Sequence, residues 1–253
     1  MQDSLTAKNR IDILGCCIDK VTMEQALETI EKLVQNKQPA PIVTLNAEII
    51  YRAYKDQNLR RVINQAALIT PDGIGAVWAG KILGHPFPER VAGIDLFYSI
   101  CKRAVEKKWR IFLLGASPGI AEMAAEKMRA DFAGVNICGV QDGYFKTETI
   151  PYIIEQINNS RPDILAVGLG SPKQEYWISK YKDQINVSVF IGLGGSFDVI
   201  AGIKKRAPGW IIRLNLEWLY RLIKEPSRFK RQLALPLFAW TVFKYRFHAK
   251  PSD

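Results

Sequence analysis

The segment DILAVGLGSPKQE, residues 163–175, decides the fold. It opens with a continuous apolar run, passes through Gly168-Leu169-Gly170-Ser171, and enters a helix near Pro172. A strand without polar alternation is buried on both faces, which is the habit of parallel sheets flanked by helices. The same grammar recurs along the chain. RIFLLGASPG (110–119) leads into IAEMAAEKMRADF, VNICGVQDGYF (135–145) into TETIPYIIEQINNS, and VSVFIGLGGSFD (187–198) ends in another Gly-rich turn. Upstream, APIVTLNAEII begins as a strand and turns helical near Asn46, and AALITPDG is a short strand closed by a Pro-Asp-Gly turn. The reading is α/β, with a mainly parallel sheet covered by helices on both faces. Thr22 and Gln25 stand at capping-box spacing ahead of the helix MEQALETIEKLVQN.

Three of these strands end in small residues: Gly115-Ala116-Ser117, Gly168-Leu169-Gly170-Ser171 and Gly192-Leu193-Gly194-Gly195. Ligands of open α/β sheets bind outside the carboxyl ends of the strands. Glycine there lets backbone N–H groups approach a phosphate, and the following helix presents its positive end. Tight strand-to-helix turns alone would also use glycine, but three such ends together favour a phosphate or nucleotide ligand. Neither G-x-G-x-x-G nor G-x-x-x-x-G-K-[ST] occurs, which argues against the dinucleotide fingerprint and the P-loop. Lys173, beside a helix N-terminus, suits an anion.

The remaining strand ends carry polar groups. Thr44 and Asn46 follow one strand, Asp72 another, Arg90 lies in HPFPERVAG, and Gln174 and Glu175 open the helix after GLGSPK. In this architecture all could meet in one crevice. Taken singly, Asn46 and Asp72 would serve as helix caps and Arg90 as a surface cation. Only two histidines, His85 and His248, are present and no D-x-D occurs, so no metal site is expected. Cys16, Cys17, Cys101 and Cys138 form no C-x-x-C; they read as reduced, mostly buried thiols of a cytosolic protein, and the N-terminus does not read as a signal peptide.

The net charge is +10 over 253 residues, and it is unevenly placed. From Lys204 onward twelve Lys and Arg face three Asp and Glu, which leaves the first 203 residues near neutral. Residues 1–203 are therefore expected to form the α/β body and 204–253 a basic, aromatic helical appendage. WLYRLIKEPSRFKRQLALPLFAW (218–240) is both cationic and greasy, as a segment lying on an anionic bilayer would be. No stretch reaches the ~18–20 apolar residues of a membrane span. Arg213, Glu217, Arg221 and Lys224 fall on one helical face, and Pro226 is expected to start a second helix with Arg228 and Arg231 on one side. The same charge would suit nucleic acid, but no recognised nucleic-acid motif accompanies it. A helical hairpin packed on the body, its cations solvated, is the plain alternative.

VTLNAEII, LITPDGIGAVWAGKILG, ERVAGIDLF, FLLGASPG, VGLGSPKQEYW and GLGGSFDVIAG together resemble the bacterial WecG/TagA/CpsF glycosyltransferases, most of all their wall-teichoic-acid branch. The likeness covers roughly residues 10 to 203, and the basic tail is similar to that family's C-terminal appendage. It implies a Rossmann-like fold and an inverting, metal-independent transfer of N-acetylmannosamine from UDP-ManNAc, with no cofactor. The implied acceptor is the C4 hydroxyl of GlcNAc-diphospho-undecaprenol, in a β-1,4 linkage, at the inner face of the cell membrane. It places the general base at Asp72 and substrate contacts at Thr44, Asn46, Arg90 and Gln174. The nucleotide side would use Gly115, Tyr144, Gly168, Gly170, Ser171, Lys173, Gly194 and Asp198. Arg221, Arg228 and Arg231 would meet the membrane or the acceptor diphosphate. Another UDP-sugar (ManNAcA, glucose or GlcNAc) remains open as donor, as does a homo-oligomer.

Overall fold

A computed structural model describes residues 9–225, 229 and 233–248. Its centre is a six-stranded sheet in the order β4-β3-β8-β7-β5-β6, every pairing parallel. The strands are β3 (Ala40–Leu45), β4 (Leu68–Pro71), β5 (Arg110–Gly115), β6 (Asn136–Gln141), β7 (Ile164–Gly168) and β8 (Val189–Gly192). Because all run the same way, Asn46, Asp72, Gly115, Gly168 and Gly192 stand at one edge of the sheet.

Both faces are covered, and the strands show it residue by residue. Ile111 and Leu113 of β5 enter one apolar core, while Phe112 and Leu114 enter another. Ile164 and Ala166 of β7 alternate with Leu165 and Val167 in the same way. This is the period-two consequence of the pleat. The first face is closed by α1 (Met23–Asn36), α5 (Gly93–Lys107), α6 (Ile120–Asp131) and α9 (Ser196–Ile200). The second is closed by α2 (Ala47–Lys55), α3 (Gln57–Asn64), α4 (Gly73–Ile82), α7 (Ile150–Ser160) and α8 (Lys173–Tyr181). Thr22 caps α1 and completes the expected box with Gln25.

A hairpin absent from the sequence reading precedes α1. β1 (Arg10–Ile13) and β2 (Cys16–Asp19) pair antiparallel across Leu14 and Gly15, which both adopt positive φ. That geometry suits a two-residue hairpin turn. Asp19 is buried; it accepts hydrogen bonds from Arg10 Nε (2.8 Å) and from the Ile69 amide (2.7 Å), and so fastens the hairpin to β4.

The C-terminal region does not stay apart from the body. α10 (Gly209–Arg213) and α11 (Glu217–Lys224) are separated by Asn215, whose φ of 60° interrupts the expected continuous helix. Arg213 therefore does not share a helix face with Glu217, Arg221 and Lys224. The last helix, α12 (Ala234–His248), lays Phe238 and Val242 into the core shared with α2 and α4, and Phe243 meets Trp78 edge to face at 5.7 Å. The expected helix start at Pro226, with Arg228 and Arg231, lies outside the described residues. No helix among the described residues is long and apolar enough to cross a membrane.

Candidate active site

Parallel register brings Thr44 opposite Thr70 and Leu45 opposite Pro71, so the next residues, Asn46 and Asp72, emerge side by side. The Asp72 amide donates to Leu45 O at 2.8 Å, and the Val91 amide to Pro71 O at 3.0 Å, which pulls the loop carrying Arg90 against the end of β4. Asn46 caps α2, its Oδ1 accepting from the Ile49 amide at 3.0 Å. Asp72 holds the same position ahead of α4 but makes no side-chain cap bond. The Gly93 amide at the start of α5 instead favours the charged form of its carboxylate. Gly93 has to be glycine: a Cβ there would stand 2.8 Å from Thr44 Oγ1. Thr44 is buried at 8% exposure, in the wall beneath this junction.

The electrostatics around Asp72 are contested. Burial pushes its carboxyl above the ordinary aspartate range, and Glu217 adds to that. Arg221, the Gly93 amide and Arg90 pull the other way without cancelling it. A helix N-terminus and two guanidinia keep an anion tolerable, while desolvation makes it a better proton acceptor than a surface aspartate. The surrounding charges form a chain of pairs. Arg90 Nη1 lies 3.5 Å from Glu217 Oε2 and Nη2 4.0 Å from Asp95. Asp95 is gripped at both oxygens by Arg206, at 2.7 Å each. Arg221 donates to Glu217 one helical turn away. α11 of the C-terminal region thus meets Arg90 through Glu217, and the charges of Glu217 and Arg221 act on Asp72. Asp95 and Arg206 join this cluster without being candidates in the sequence, where Glu217 stands only as a neighbour of Arg221 on a helical face. Only the Glu217–Arg221 spacing hinted at this.

The glycines divide into two kinds. A Cβ on Gly115 would lie 2.5 Å from the Gly168 carbonyl carbon, and one on Gly168 2.8 Å from the Phe197 ring, so close strand packing accounts for both. Gly170 (φ +77°) and Gly194 (φ +54°) have nothing within 4 Å of that position and face open space. Gln174, 4% exposed, lies beneath this turn: its Oε1 accepts from the Gly194 amide at 2.9 Å and its Nε2 donates to Glu175 at 3.0 Å. The structure thus gives Gln174 the task of bracing the β8 turn. Glu175 is equally buried, and burial raises its carboxyl above the usual range. Ser171 precedes a cis bond to Pro172, and its carbonyl accepts from Arg52 at 2.9 Å.

Beyond β6, Tyr144 is 76% exposed and lines a groove of about 510 Å³ with Gln141, Phe145, Lys146, Thr149 and Tyr152. Lys173 reaches over the Phe145 ring, 5.9 Å from its centre. Asp198 lies in the first turn of α9, with its carboxylate 3.7 Å from the Cβ position of Gly195. A second groove, about 470 Å³, lies between Trp78, Lys81, Leu83 and Arg246, toward the C-terminal end of α4 and away from Asp72.

Among the described residues no group of three or more His, Cys, Asp or Glu is placed to hold a metal ion. All four thiols are free, and burial pushes Cys16 and Cys101 up to about 12, so neither is a ready nucleophile.

This chain is similar to several proteins that share one name. It is 43% identical over 220 residues to the N-acetylglucosaminyldiphosphoundecaprenol N-acetyl-beta-D-mannosaminyltransferase of Bacillus spizizenii, covering 87% of this chain and 84% of the relative. The Bacillus subtilis protein of that name is 40% identical, covering 89% and 90%. The Staphylococcus aureus one is 36% identical, covering 95% and 94%. The profile of the glycosyl transferase WecG/TagA/CpsF family matches residues 11–252, a span that takes in the sheet, its polar edge and the helices of the tail alike. With nearly the whole chain accounted for in this way, it belongs to the WecG/TagA/CpsF family and is a glycosyltransferase.

Proposed function

We propose that the protein transfers N-acetylmannosamine from UDP-ManNAc to the C4 hydroxyl of GlcNAc-diphospho-undecaprenol with inversion, giving a β-1,4 linkage for a wall teichoic acid linkage unit. The named activity of the three relatives supports donor sugar and acceptor. The observation that carries the chemistry is a half-buried carboxyl with a raised pKa facing two arginines at the sheet's carboxyl edge.

In this reading Asp72 takes the proton from the acceptor C4 hydroxyl as that oxygen attacks the anomeric carbon. The bond from that carbon to the UDP oxygen breaks on the opposite face, and UDP departs with the electron pair. A correctly placed base is worth ~10²–10⁴-fold. Arg90 and Arg221 meet diphosphate charge, the role a metal ion fills in other transferases. The open turns at Gly170 and Gly194, with Ser171 and Lys173, receive the donor's phosphates, while Tyr144 and Asp198 flank the nucleoside. Gln174 acts from below by fixing the Gly194 turn. Inter-strand spacing puts the end of β4 about 10 Å from that of β8, a span that a sugar diphosphate can bridge.

The acceptor is a lipid, so the enzyme works as a peripheral protein at the inner membrane face. Exposed Trp210, Leu214, Ile223, Trp240 and Phe247 in the basic C-terminal region favour this over nucleic-acid binding, because a phosphate backbone gains little from aliphatic and aromatic side chains arrayed on helices. The test is incubation with a panel of UDP-sugars and a short-chain GlcNAc-diphosphate lipid. Acceptor-dependent UDP release with UDP-ManNAc, and a β-1,4 disaccharide product, are expected. Release with a different donor, or none, sinks the assignment.

A further inference from the structure

Glu217 takes no part in the chemistry proposed above, yet it sits in the middle of it. Its side chain is 14% exposed although it belongs to the first turn of a surface helix. One oxygen accepts from Arg221 on the same helix, and the other lies 3.5 Å from Arg90 of the body. An ordinary i,i+4 pair on a solvated helix is worth a few tenths of a kcal/mol and leaves its carboxylate in water. Here both oxygens are engaged, by guanidinia from two distant parts of the chain, and the Glu217 charge helps to raise the carboxyl of Asp72. The Glu217 charge also acts on Arg206. Carboxylate and phosphate both offer acceptor oxygens that can bridge two guanidinia, so a carboxylate that bridges the pair from within competes with a phosphate from without.

We propose that Glu217 is a built-in surrogate for the substrate diphosphate. It holds Arg90 and Arg221 together, with α11 tied to the Arg90 loop, until a diphosphate displaces it and takes both cations. This rests on the reading above that the site receives a diphosphate. It makes Glu217 a positioning residue that sets how strongly charged a ligand must be to open the cluster. A monoanion gains little by replacing another monoanion, whereas a diphosphate brings more charge to the same two guanidinia. Apparent affinity is reduced by the fraction of molecules in which the cations are already occupied. If Glu217 bridges the two cations about nine times in ten, removing its charge tightens diphosphate binding about tenfold.

The sign of the effect separates this from a structural role. Inorganic pyrophosphate is titrated calorimetrically into the full-length protein and its Glu217→Gln variant at two salt concentrations. Binding about tenfold tighter in the variant is expected, with the gap narrowing as salt rises. Hydrogen exchange across residues 209–225 is expected to be faster in the ligand-free variant and to slow again with pyrophosphate. Equal or weaker binding in the variant, or no binding by either protein, overturns the proposal, because a residue that only orients the arginines would weaken the site when lost. Glu217→Asp, which keeps the charge but shortens the reach, gives an intermediate gain and covers the case in which the Gln variant folds poorly. Turnover of UDP-ManNAc by the unaltered protein, measured in parallel, reports on the functional reading separately: turnover with no affinity gain sinks the surrogate alone.

Discussion

The two halves of the sheet's carboxyl edge are built on opposite principles. Around β3 and β4 the working groups are charged side chains: Asp72, Arg90 and, brought over from α11, Arg221 and Glu217. Around β5, β7 and β8 they are backbone, with Gly115 and Gly168 pressed together and Gly170 and Gly194 open. The first half can respond to pH, salt and the presence of a competing anion. The second rests on backbone conformation: its packed glycines exclude a methyl group, and its open ones hold a positive φ. In the proposed reaction, proton transfer falls to the half whose charges can change, and the donor's phosphates to the half built on backbone turns.

The largest expected effect breaks the charged half alone. Asp72→Asn should lower turnover ~10²–10⁴-fold while UDP binding stays near that of the unaltered protein. The sign for stability is opposite. A carboxyl whose folded pKa is raised is favourable in its protonated form at low pH and becomes a burden as pH rises through that value. At pH 7 the variant should therefore melt no lower than the parent, and a large drop in Tm would mean that Asp72 has a structural role.

A smaller effect distinguishes the two kinds of glycine. Gly115→Ala forces a methyl to 2.5 Å from the Gly168 backbone, at a φ of +135°, and should cost about 1–3 kcal/mol in urea unfolding. Gly170→Ala meets no atoms but keeps a φ of +77°, and should cost about 1 kcal/mol. The loss at Gly170 should fall mainly on KM for the donor. Equal stability losses at both positions would erase the distinction between packed and open turns. Of the same order as the Gly170 effect, Arg213→Gln should weaken binding to anionic vesicles by about 1 kcal/mol, with the deficit vanishing at high salt.

The same contrast explains what was legible in the sequence. The glycine half is local: a continuous apolar strand, a small-residue turn and a helix start lie within a dozen residues, as in 163–175, so its existence followed directly. Periodicity likewise gave both covered faces, because burial on two sides removes polar alternation. The charged half depends on contacts between Asp72, Arg90, Asp95, Arg206 and Glu217, which no spacing rule connects. Spacing places Glu217 and Arg221 on one helical face, and the family likeness gives Arg221 a role, but Arg206 reads only as a member of a basic tail. The hairpin at residues 10–19 escaped because its turn is Leu14-Gly15, which lacks the Asn or Asp that usually marks such turns. The break at Asn215 escaped because amphipathic spacing continues through it.

The central claim is that Asp72 must be ionised to accept a proton, and that burial and Arg221 oppose each other in setting when it is. The direct measurement is kcat/KM against pH for the parent and for Arg221→Gln. The account predicts an acid limb above the ordinary carboxylate range, moving to still higher pH once the Arg221 charge is gone. A limb in the ordinary range, or one that stays in place or moves down in the variant, would contradict it.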